Sequence, residues 1–320
     1  MKILFLKTSS LGDVVHHCPA VSDAARHFPE AEIDWVVEES FAPVAAMHRA
    51  VHRVIPVALR RWRRSPWRAS VWRELAAFRR QLAAARYDRV IDTQGLLKSA
   101  LIARAARGER HGYDAASARE PIAARCYQVR HAVPRALHAV ERNRLLTAAS
   151  LGYRPGDACD YGLRAPAESP VSVAGEFAVL LTMTSRADKL WAEANWIELA
   201  RALRARGLRA VLPWGSAGER ARCERLAGEL DGALVPRRLS IAELAALFRA
   251  ARAVIGVDTG LAHLAAALGV PTVGLYCATD PVLTGLHGGA ALRNLGGIGD
   301  APSAGATLDA LEVLALGTAR

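Results

Sequence analysis

The chain has little cysteine, and its five cysteines stand far apart, with no C-x-x-C pair. Such a scattered, odd set argues against a disulfide framework or a zinc site and favours a reducing cytoplasm. The first apolar run, Lys2 to Leu6, is too short for a signal peptide. A longer uncharged run from Thr259 to Thr279 is broken at Gly269-Val-Pro271, which predicts helix, turn and strand, so we expect no transmembrane segment.

Several nucleotide-binding and hydrolase motifs are also missing. No G-x-G-x-x-G leads from a strand into a helix, so a dinucleotide cofactor is not expected. The P-loop, the G-x-S-x-G elbow and the H-E-x-x-H zinc motif do not occur. Acidic residues are outnumbered, 31 against 42 basic, and the net charge is +11. This balance predicts an anionic partner: nucleic acid, a membrane surface or a phosphorylated substrate.

The 320 residues favour two domains, and 52% hydrophobic residues are ample for packed cores. Strand patterns occur at Lys2–Leu6, Glu32–Val37, Arg53–Val57, Arg89–Asp92, Phe177–Leu181, Leu208–Leu212, Ala253–Val257 and Thr272–Leu275. Helical patterns alternate with them at Asp13–His27, Ser70–Arg86, Leu97–Ala106, His138–Leu151, Trp191–Arg206, Ala217–Glu229 and Ile241–Phe248. This alternation predicts an α/β protein with two doubly wound, Rossmann-like domains facing one another across a cleft.

The stretch from Arg164 to Ser172 is rich in Pro, Ala and Ser, as is typical of an interdomain linker. We therefore predict domains at 1–165 and 166–306, followed by a C-terminal helical segment at 307–320 that packs back on the first domain. In such sheets, ligands bind beyond the carboxyl ends of the strands. Polar residues and glycines follow these ends at 7–13, 92–95, 182–189, 213–219, 257–263 and 276–280.

Asp258-Thr259-Gly260 joins a predicted buried strand to a predicted helix that Gly269 ends. Free backbone N–H groups and the helix dipole make such a turn suitable for a phosphate. Asp258 or Thr259 acting only as a helix cap is the alternative. The loop from Thr182 to Lys189 offers two hydroxyls and two cations for phosphate oxygens, or it is an ordinary solvated loop.

Two carboxylates at strand ends have similar alternatives. Asp13, in Lys7-Thr-Ser-Ser-Leu-Gly-Asp13, suits either a general base or a helix cap. Glu219, after Pro213-Trp214-Gly215, suits either ribose hydroxyls or the dipole of the next helix.

The densest positive charge lies at Arg60-Arg61-Trp62-Arg63-Arg64-Ser-Pro-Trp67-Arg68. Interleaved basic and aromatic residues can bind single-stranded nucleic acid. They can also bind a sugar acid on a phospholipid surface, with tryptophan at the headgroup level. A solvated loop is the third interpretation, and Arg119 is a candidate for the same site.

Nine short segments are spread along the chain: KTSSLGDVVH, DWVVEE, IPVALRRWRR, DTQGLLKSA, AREP, HAVERNR, PWG, VDTGLAH and TDP. Together they resemble the ADP-heptose:lipopolysaccharide heptosyltransferase family, whose members are two-domain GT-B glycosyltransferases. The resemblance covers nearly the whole chain, and within the family it is strongest to the enzymes that add the first heptose.

This resemblance implies inverting transfer of L-glycero-D-manno-heptose from ADP-heptose to the inner Kdo of Kdo-lipid A, with no cofactor or catalytic metal. It implies Asp13 as the base and Lys189 as a stabiliser of the leaving group. Domain closure is expected to bring donor and acceptor together. The implied donor-binding residues are Thr184, Ser185, Lys189, Trp214, Glu219, Asp258, Thr259, Gly260, Leu261 and His263. The implied acceptor-binding residues are Ser10, Arg60, Arg61, Arg63, Arg64 and Arg119.

The resemblance further implies a cytoplasmic protein attached peripherally to the anionic inner membrane, with no nucleic-acid partner. Ser185, Ala187 and Cys277-Ala278 depart from the family pattern, and the last pair puts the local loop shape in question. The alternatives are a second-heptose enzyme, another nucleotide-sugar transferase of this fold, and a basic nucleic-acid-binding protein without activity.

Overall fold

The computed structural model describes residues 1–169, 171–289 and 291–316, and its chain divides into two compact units, Met1–Leu163 and Arg164–Arg320. The second unit begins at the first residue of the predicted linker. Within the described residues, no helix combines the length and the apolarity needed to cross a bilayer.

The first unit contains one six-stranded sheet in the order β3-β2-β1-β4-β5-β6, in which all neighbouring strands are parallel. The strands are β1 (Lys2–Leu6), β2 (Glu32–Glu38), β3 (Arg53–Val57), β4 (Arg86–Asp92), β5 (Arg107–Tyr113) and β6 (Val129–His131). The helices are α1 (Leu11–Val15), α2 (Cys18–His27), α3 (Ala42–Ala46), α4 (Leu59–Arg64), α5 (Ala69–Ala84), α6 (Leu97–Ala105) and α7 (Ala139–Leu151).

β1 lies near the middle of this sheet, and its residues from Ile3 to Leu6 are fully buried, as an uninterrupted apolar run predicts. Phe5 pairs in register with Trp35 of β2 and Ile91 of β4. Since β1 is central, the short loop that follows it and the first turn of α1, which carries Asp13, lie at the carboxyl edge of the sheet.

The second unit contains a five-stranded parallel sheet in the order β11-β10-β9-β7-β8. The strands are β7 (Phe177–Leu181), β8 (Arg209–Val211), β9 (Ala253–Val257), β10 (Thr272–Tyr276) and β11 (Leu292–Gly296). The helices are α8 (Glu193–Ala205), α9 (Ala217–Gly228), α10 (Ile241–Ala250), α11 (Gly260–Ala267), α12 (Pro281–Thr284) and α13 (Ala304–Leu311).

The core of the second unit is built around Trp191 and Trp196, whose rings meet edge to face with centroids 4.9 Å apart. Ala304 and Leu311 of α13 belong to the same core. A π-helical turn at Glu312–Leu316 follows α13. Packing of the segment 307–320 against the first unit stays a prediction, and residues 317–320 lie outside the described part of the chain.

Three features differ from the sequence-based expectation. The helix predicted over Asp13–His27 is two helices, and Pro19, which lacks an N–H group, lies in the first turn of the second. Strands β5, β6 and β11 were not predicted, because they are short or carry charged and glycine residues instead of an apolar run. α13 begins at Ala304, before the predicted start of the C-terminal helical segment at 307.

Candidate active site

Asp258 follows β9, and its side chain is the centre of a polar cluster in the second unit. Its Oδ2 accepts hydrogen bonds from Lys189 Nζ at 2.6 Å and Thr279 Oγ1 at 2.7 Å. His263 Nε2 lies 3.7 Å from Oδ1, and Thr184 Oγ1 donates to the Asp258 carbonyl at 3.0 Å. Burial acts to raise the pKa of Asp258, but His263, Lys189 and Thr279 outweigh it and hold that pKa well below its usual range. The carboxylate therefore holds the ammonium group of Lys189 in place.

The N-terminus of α11 lies directly beside this cluster in the chain. Thr259 is the N-cap residue, with an extended backbone (φ −144°, ψ 151°) and no side-chain hydrogen bond to the helix. Gly260 and Leu261 begin the helix, so their N–H groups have no acceptor within it. The positive end of the helix dipole and these amides form a place where an anion is stabilised. Thr259 makes no side-chain hydrogen bond to the helix, and the Asp258 carboxylate is bonded to Lys189. The geometry therefore does not favour a purely capping role for either residue.

The loop after β7 supplies the remaining predicted phosphate ligands. Lys189 ends a short 3₁₀ helix, and its side chain is only 17% exposed. Ser185 is exposed. Arg186, next to it, pairs with Asp188 within the same loop, where Arg186 Nε lies 3.0 Å from Asp188 Oδ1. Thr184 and Lys189 thus meet at Asp258, whereas Ser185 lies on the surface of this loop.

Glu219 and Trp214 lie together at the carboxyl end of β8, at the start of α9. Glu219 Oε2 accepts hydrogen bonds from the backbone N–H groups of Gly215 at 2.7 Å and Ser216 at 3.1 Å. The indole N–H of Trp214 donates to the Pro236 carbonyl at 2.7 Å. Glu219 therefore stabilises the first turn of α9, and its role toward a nucleoside stays a prediction.

Asp13 lies in the first turn of α1, at the carboxyl edge of the first sheet. Its Oδ2 accepts from the Ser10 backbone N–H at 2.8 Å and lies 3.4 Å from Arg119 Nη1. The carboxylate is about one quarter exposed, so it remains open to solvent on one side. Both predicted roles are therefore compatible with its position: it caps α1, and it presents an oxygen beside two predicted acceptor ligands.

The predicted basic segment forms a helix, α4, rather than a loop, and its arginines differ in environment. Arg61 is held by two carboxylates, Glu39 at 3.1 Å and Glu74 at 2.9 Å. The Arg60 guanidinium lies over the Phe41 ring, 4.9 Å from its centroid. Arg63 and Arg64 are exposed at the end of the helix, so the four arginines do not form one equivalent set.

The expectation that Trp62 reaches a membrane surface is wrong. Its ring is buried against Phe78, with centroids 5.9 Å apart, and its N–H donates to Glu74 at 2.8 Å. Helical geometry turns Trp62 inward while the arginines on either side of it point outward. Trp67, the other predicted membrane contact, is 76% exposed.

Three residues near these clusters were missed at the sequence level. Lys98 Nζ donates to Ser9 Oγ at 3.0 Å, and burial together with the nearby Arg60 and Arg63 lowers its pKa. Lys7 is buried and donates to the Thr93 carbonyl and to Asn143 Oδ1. Burial lowers the Lys7 pKa to about 8.

The third missed residue is Thr279, whose hydroxyl shares Asp258 Oδ2 with Lys189. Thr279-Asp-Pro281 was noted as a motif, but nothing in that triplet indicates a partner some twenty positions earlier. In the part of the chain that the structure describes, no three His, Cys, Asp or Glu side chains are grouped to hold a metal ion.

Comparison with known proteins gives a consistent result. Residues 27–307 match the family glycosyltransferase family 9 (heptosyltransferase). The chain is 47% identical over 291 residues to lipopolysaccharide heptosyltransferase 1 of Salmonella typhimurium. The aligned region covers 90% of this chain and 92% of that protein.

Solved structures agree with this match. E. coli heptosyltransferase WaaC with ADP has a TM-score of 0.91 and 42% identity, covering 98% of this chain and all of that one. The same enzyme with ADP-2-deoxy-2-fluoro heptose has a TM-score of 0.87 and 41% identity, covering 98% of this chain and 99% of that one. The chain therefore belongs to glycosyltransferase family 9, the heptosyltransferases, and is a glycosyltransferase with the GT-B fold.

Proposed function

We propose that the chain transfers L-glycero-D-manno-heptose from ADP-heptose to the inner Kdo of Kdo-lipid A, with inversion at the anomeric carbon. The observation that carries the proposal is the Lys189–Asp258 pair beside the free amides of α11. It provides a fixed cation and backbone donors for a diphosphate, in a chain that matches heptosyltransferases along nearly its full length.

We assign the donor to the second unit. As the glycosidic bond to ADP breaks, negative charge grows on the diphosphate. Lys189 and the α11 amides then stabilise the transition state more than the ground state. Because Asp258 already holds Lys189 in position, little reorganisation is needed when that charge develops. Thr184 and Ser185 are assigned to the phosphates, and Glu219 with Trp214 to the nucleoside.

We assign the acceptor to the first unit, at the carboxyl edge of its sheet. Asp13 accepts the proton of the attacking Kdo hydroxyl as the new bond forms. Ser10 and Arg119 flank this carboxylate, and Arg60, Arg63 and Arg64 add positive charge for the acid groups of the acceptor. We assign Lys98 to the acceptor as well, because its Nζ donates a hydrogen bond to Ser9 Oγ in the same loop as Ser10. Arg61 keeps its predicted role with less support, because two carboxylates already engage it.

The direct test is incubation of the purified protein with ADP-heptose and Kdo-lipid A, followed by mass spectrometry of the lipid. We expect one added heptose and release of ADP. A parallel reaction offers an acceptor that already carries the first heptose. Transfer only to that second acceptor would overturn the assignment in favour of the next enzyme of core assembly, and no transfer to either would overturn the substrate class.

The acceptor residues give a separate prediction. Replacing Arg60 and Arg63 by alanine should raise the KM for a Kdo acceptor by about tenfold or more, because each guanidinium can hold a carboxylate through two charged hydrogen bonds. Donor affinity, measured by calorimetry with ADP, should stay nearly unchanged.

Lysine at the same two positions should restore that KM only in part, since an ammonium group cannot copy the bidentate geometry. Arg79→Ala with Arg80→Ala removes the same charge from α5 and serves as the control, with an unchanged KM for a delipidated acceptor. Lost ADP binding in the Arg60 and Arg63 variant, or an unaltered acceptor KM, would contradict the assignment.

A lipid acceptor requires the enzyme to work at a membrane. We propose a cytoplasmic protein attached peripherally to the cytoplasmic face of the inner membrane. The net charge of +11 supports attraction to anionic lipids that weakens as salt is added.

A further inference from the structure

Two tryptophans of the first unit are left in solvent. Trp67 is 76% exposed and Trp72 is 61% exposed. Trp35, Trp191 and Trp196, by contrast, are buried almost completely. Two large apolar rings five positions apart on an otherwise polar surface indicate a surface that is covered by a partner.

The charge around these rings is strongly one-sided. From the start of α4 to the end of α5, the chain carries eight arginines and one carboxylate, Glu74, so this stretch supplies seven of the eleven excess positive charges. Glu74 is itself engaged, by Arg61 at 2.9 Å and by the Trp62 N–H at 2.8 Å. The remaining arginines of the stretch are exposed, at Arg60, Arg63, Arg64, Arg68, Arg73, Arg79 and Arg80.

Helix α5 separates its two faces clearly. Val71, Phe78 and Leu82 are buried in the core of the first unit. Trp72 and the pair Arg79 and Arg80 lie at helical spacing on the outward side, with alanines between them. We call Trp67, Trp72, Arg73, Arg79 and Arg80 the α5 surface.

We propose that the α5 surface docks on an anionic lipid bilayer and holds the enzyme at the membrane, separately from the residues that bind the acceptor sugar. This inference deepens the proposed function, since it rests on a lipid-linked acceptor. The two indoles settle at the headgroup level and the arginines pair with lipid phosphates. Single-stranded nucleic acid is the less suitable partner, because it is held in a groove, whereas the α5 surface is the convex side of a helix.

The test measures binding to vesicles of pure phosphatidylcholine and of an equimolar mixture of phosphatidylcholine and phosphatidylglycerol. We expect sedimentation with the mixed vesicles only, and release at high salt. Arg79→Gln with Arg80→Gln should lower the partition coefficient by about tenfold or more. Trp67→Ala with Trp72→Ala should lower it to a similar extent and abolish quenching of tryptophan fluorescence by brominated lipid.

Arg201→Gln with Arg204→Gln, on the exposed side of α8, removes the same charge from the second unit and is the matched control. It should bind vesicles like the wild type. All variants should transfer heptose to a delipidated Kdo acceptor at the wild-type rate, which also shows that each is folded. If the Trp67 and Trp72 variant transfers no heptose to the delipidated acceptor, it is misfolded, and the Arg79 and Arg80 variant alone then tests the proposal.

Several outcomes would overturn the proposal. One is equal loss of vesicle binding in the α8 control, which would make attraction a matter of net charge only. Another is tighter binding of single-stranded RNA than of mixed vesicles, with the same variants losing it. A third is loss of transfer to the delipidated acceptor by the Arg79 and Arg80 variant, which would place the α5 surface in the acceptor site. Wild-type protein that transfers nothing to any acceptor would refute the proposed function instead, whatever its vesicle binding.

Discussion

Asp13→Asn should lower turnover by about 10²-fold or more while ADP affinity stays close to that of the wild type. The amide oxygen can still accept the Ser10 N–H, which is 2.8 Å from the carboxylate, so the first turn of α1 keeps its cap. The amide cannot take a proton from the acceptor hydroxyl. Steady-state kinetics with saturating donor, together with calorimetric titration of ADP, measure the two quantities separately.

Helix α10 offers a matched control for this substitution. Glu243 accepts the Ser240 backbone N–H at 2.8 Å and pairs with Arg237 at 2.6 Å, so it has the same kinds of partner as Asp13, which has Ser10 and, at 3.4 Å, Arg119. Because its ion pair is closer, Glu243→Gln should lower thermal stability at least as much as Asp13→Asn does, with turnover near that of the wild type. If the two variants lost turnover equally, Asp13 would be a helix cap and no base.

Lys189→Ala should weaken transition-state stabilisation by roughly 2–4 kcal/mol, seen as a fall in kcat/KM, with weaker ADP binding as well. The ammonium group is the charged partner that Asp258 fixes at 2.6 Å beside the α11 amides. Its loss also leaves a largely buried carboxylate without its cation, which destabilises the fold. Activity and thermal unfolding therefore have to be measured on the same samples.

The double variant Lys189→Ala with Asp258→Asn separates these two effects. Removing the carboxylate charge should recover most of the lost stability, since no unpaired ion then remains in the cluster. Catalysis should not recover, because the diphosphate still lacks its cation. Recovery of kcat/KM together with stability would show that Lys189 serves the fold and not the reaction.

The alternating apolar runs predicted an α/β chain, and strands β1, β3, β7 and β9 were placed with their observed bounds. Buried parallel strands are continuous apolar segments, and such segments are visible without tertiary information. The polar turns after them were predicted as ligand positions for the same local reason. β6 was missed, because three residues, Val129–His131, carry no periodic signal.

Side-chain partners were decided by the tertiary structure. Trp62 and Trp67 look alike in the sequence, both set among arginines, yet one is core and the other is exposed, because the turn of α4 directs Trp62 onto Phe78. Glu39 and Glu74 neutralise Arg61 from positions that no spacing rule connects to it.

The sequence by itself determined the fold class, the polar segments that follow the strands and the family, since all of these depend on local patterns and motifs. Only the tertiary structure decided that Lys189 and Thr279 both donate to the Asp258 carboxylate and that Lys98 donates to Ser9. It also decided that the exposed face of α5 is basic and carries Trp72. Long-range contacts of this kind arise when parallel strands bring distant loops to one edge of a sheet. No feature of a single segment specifies which side chains will meet there.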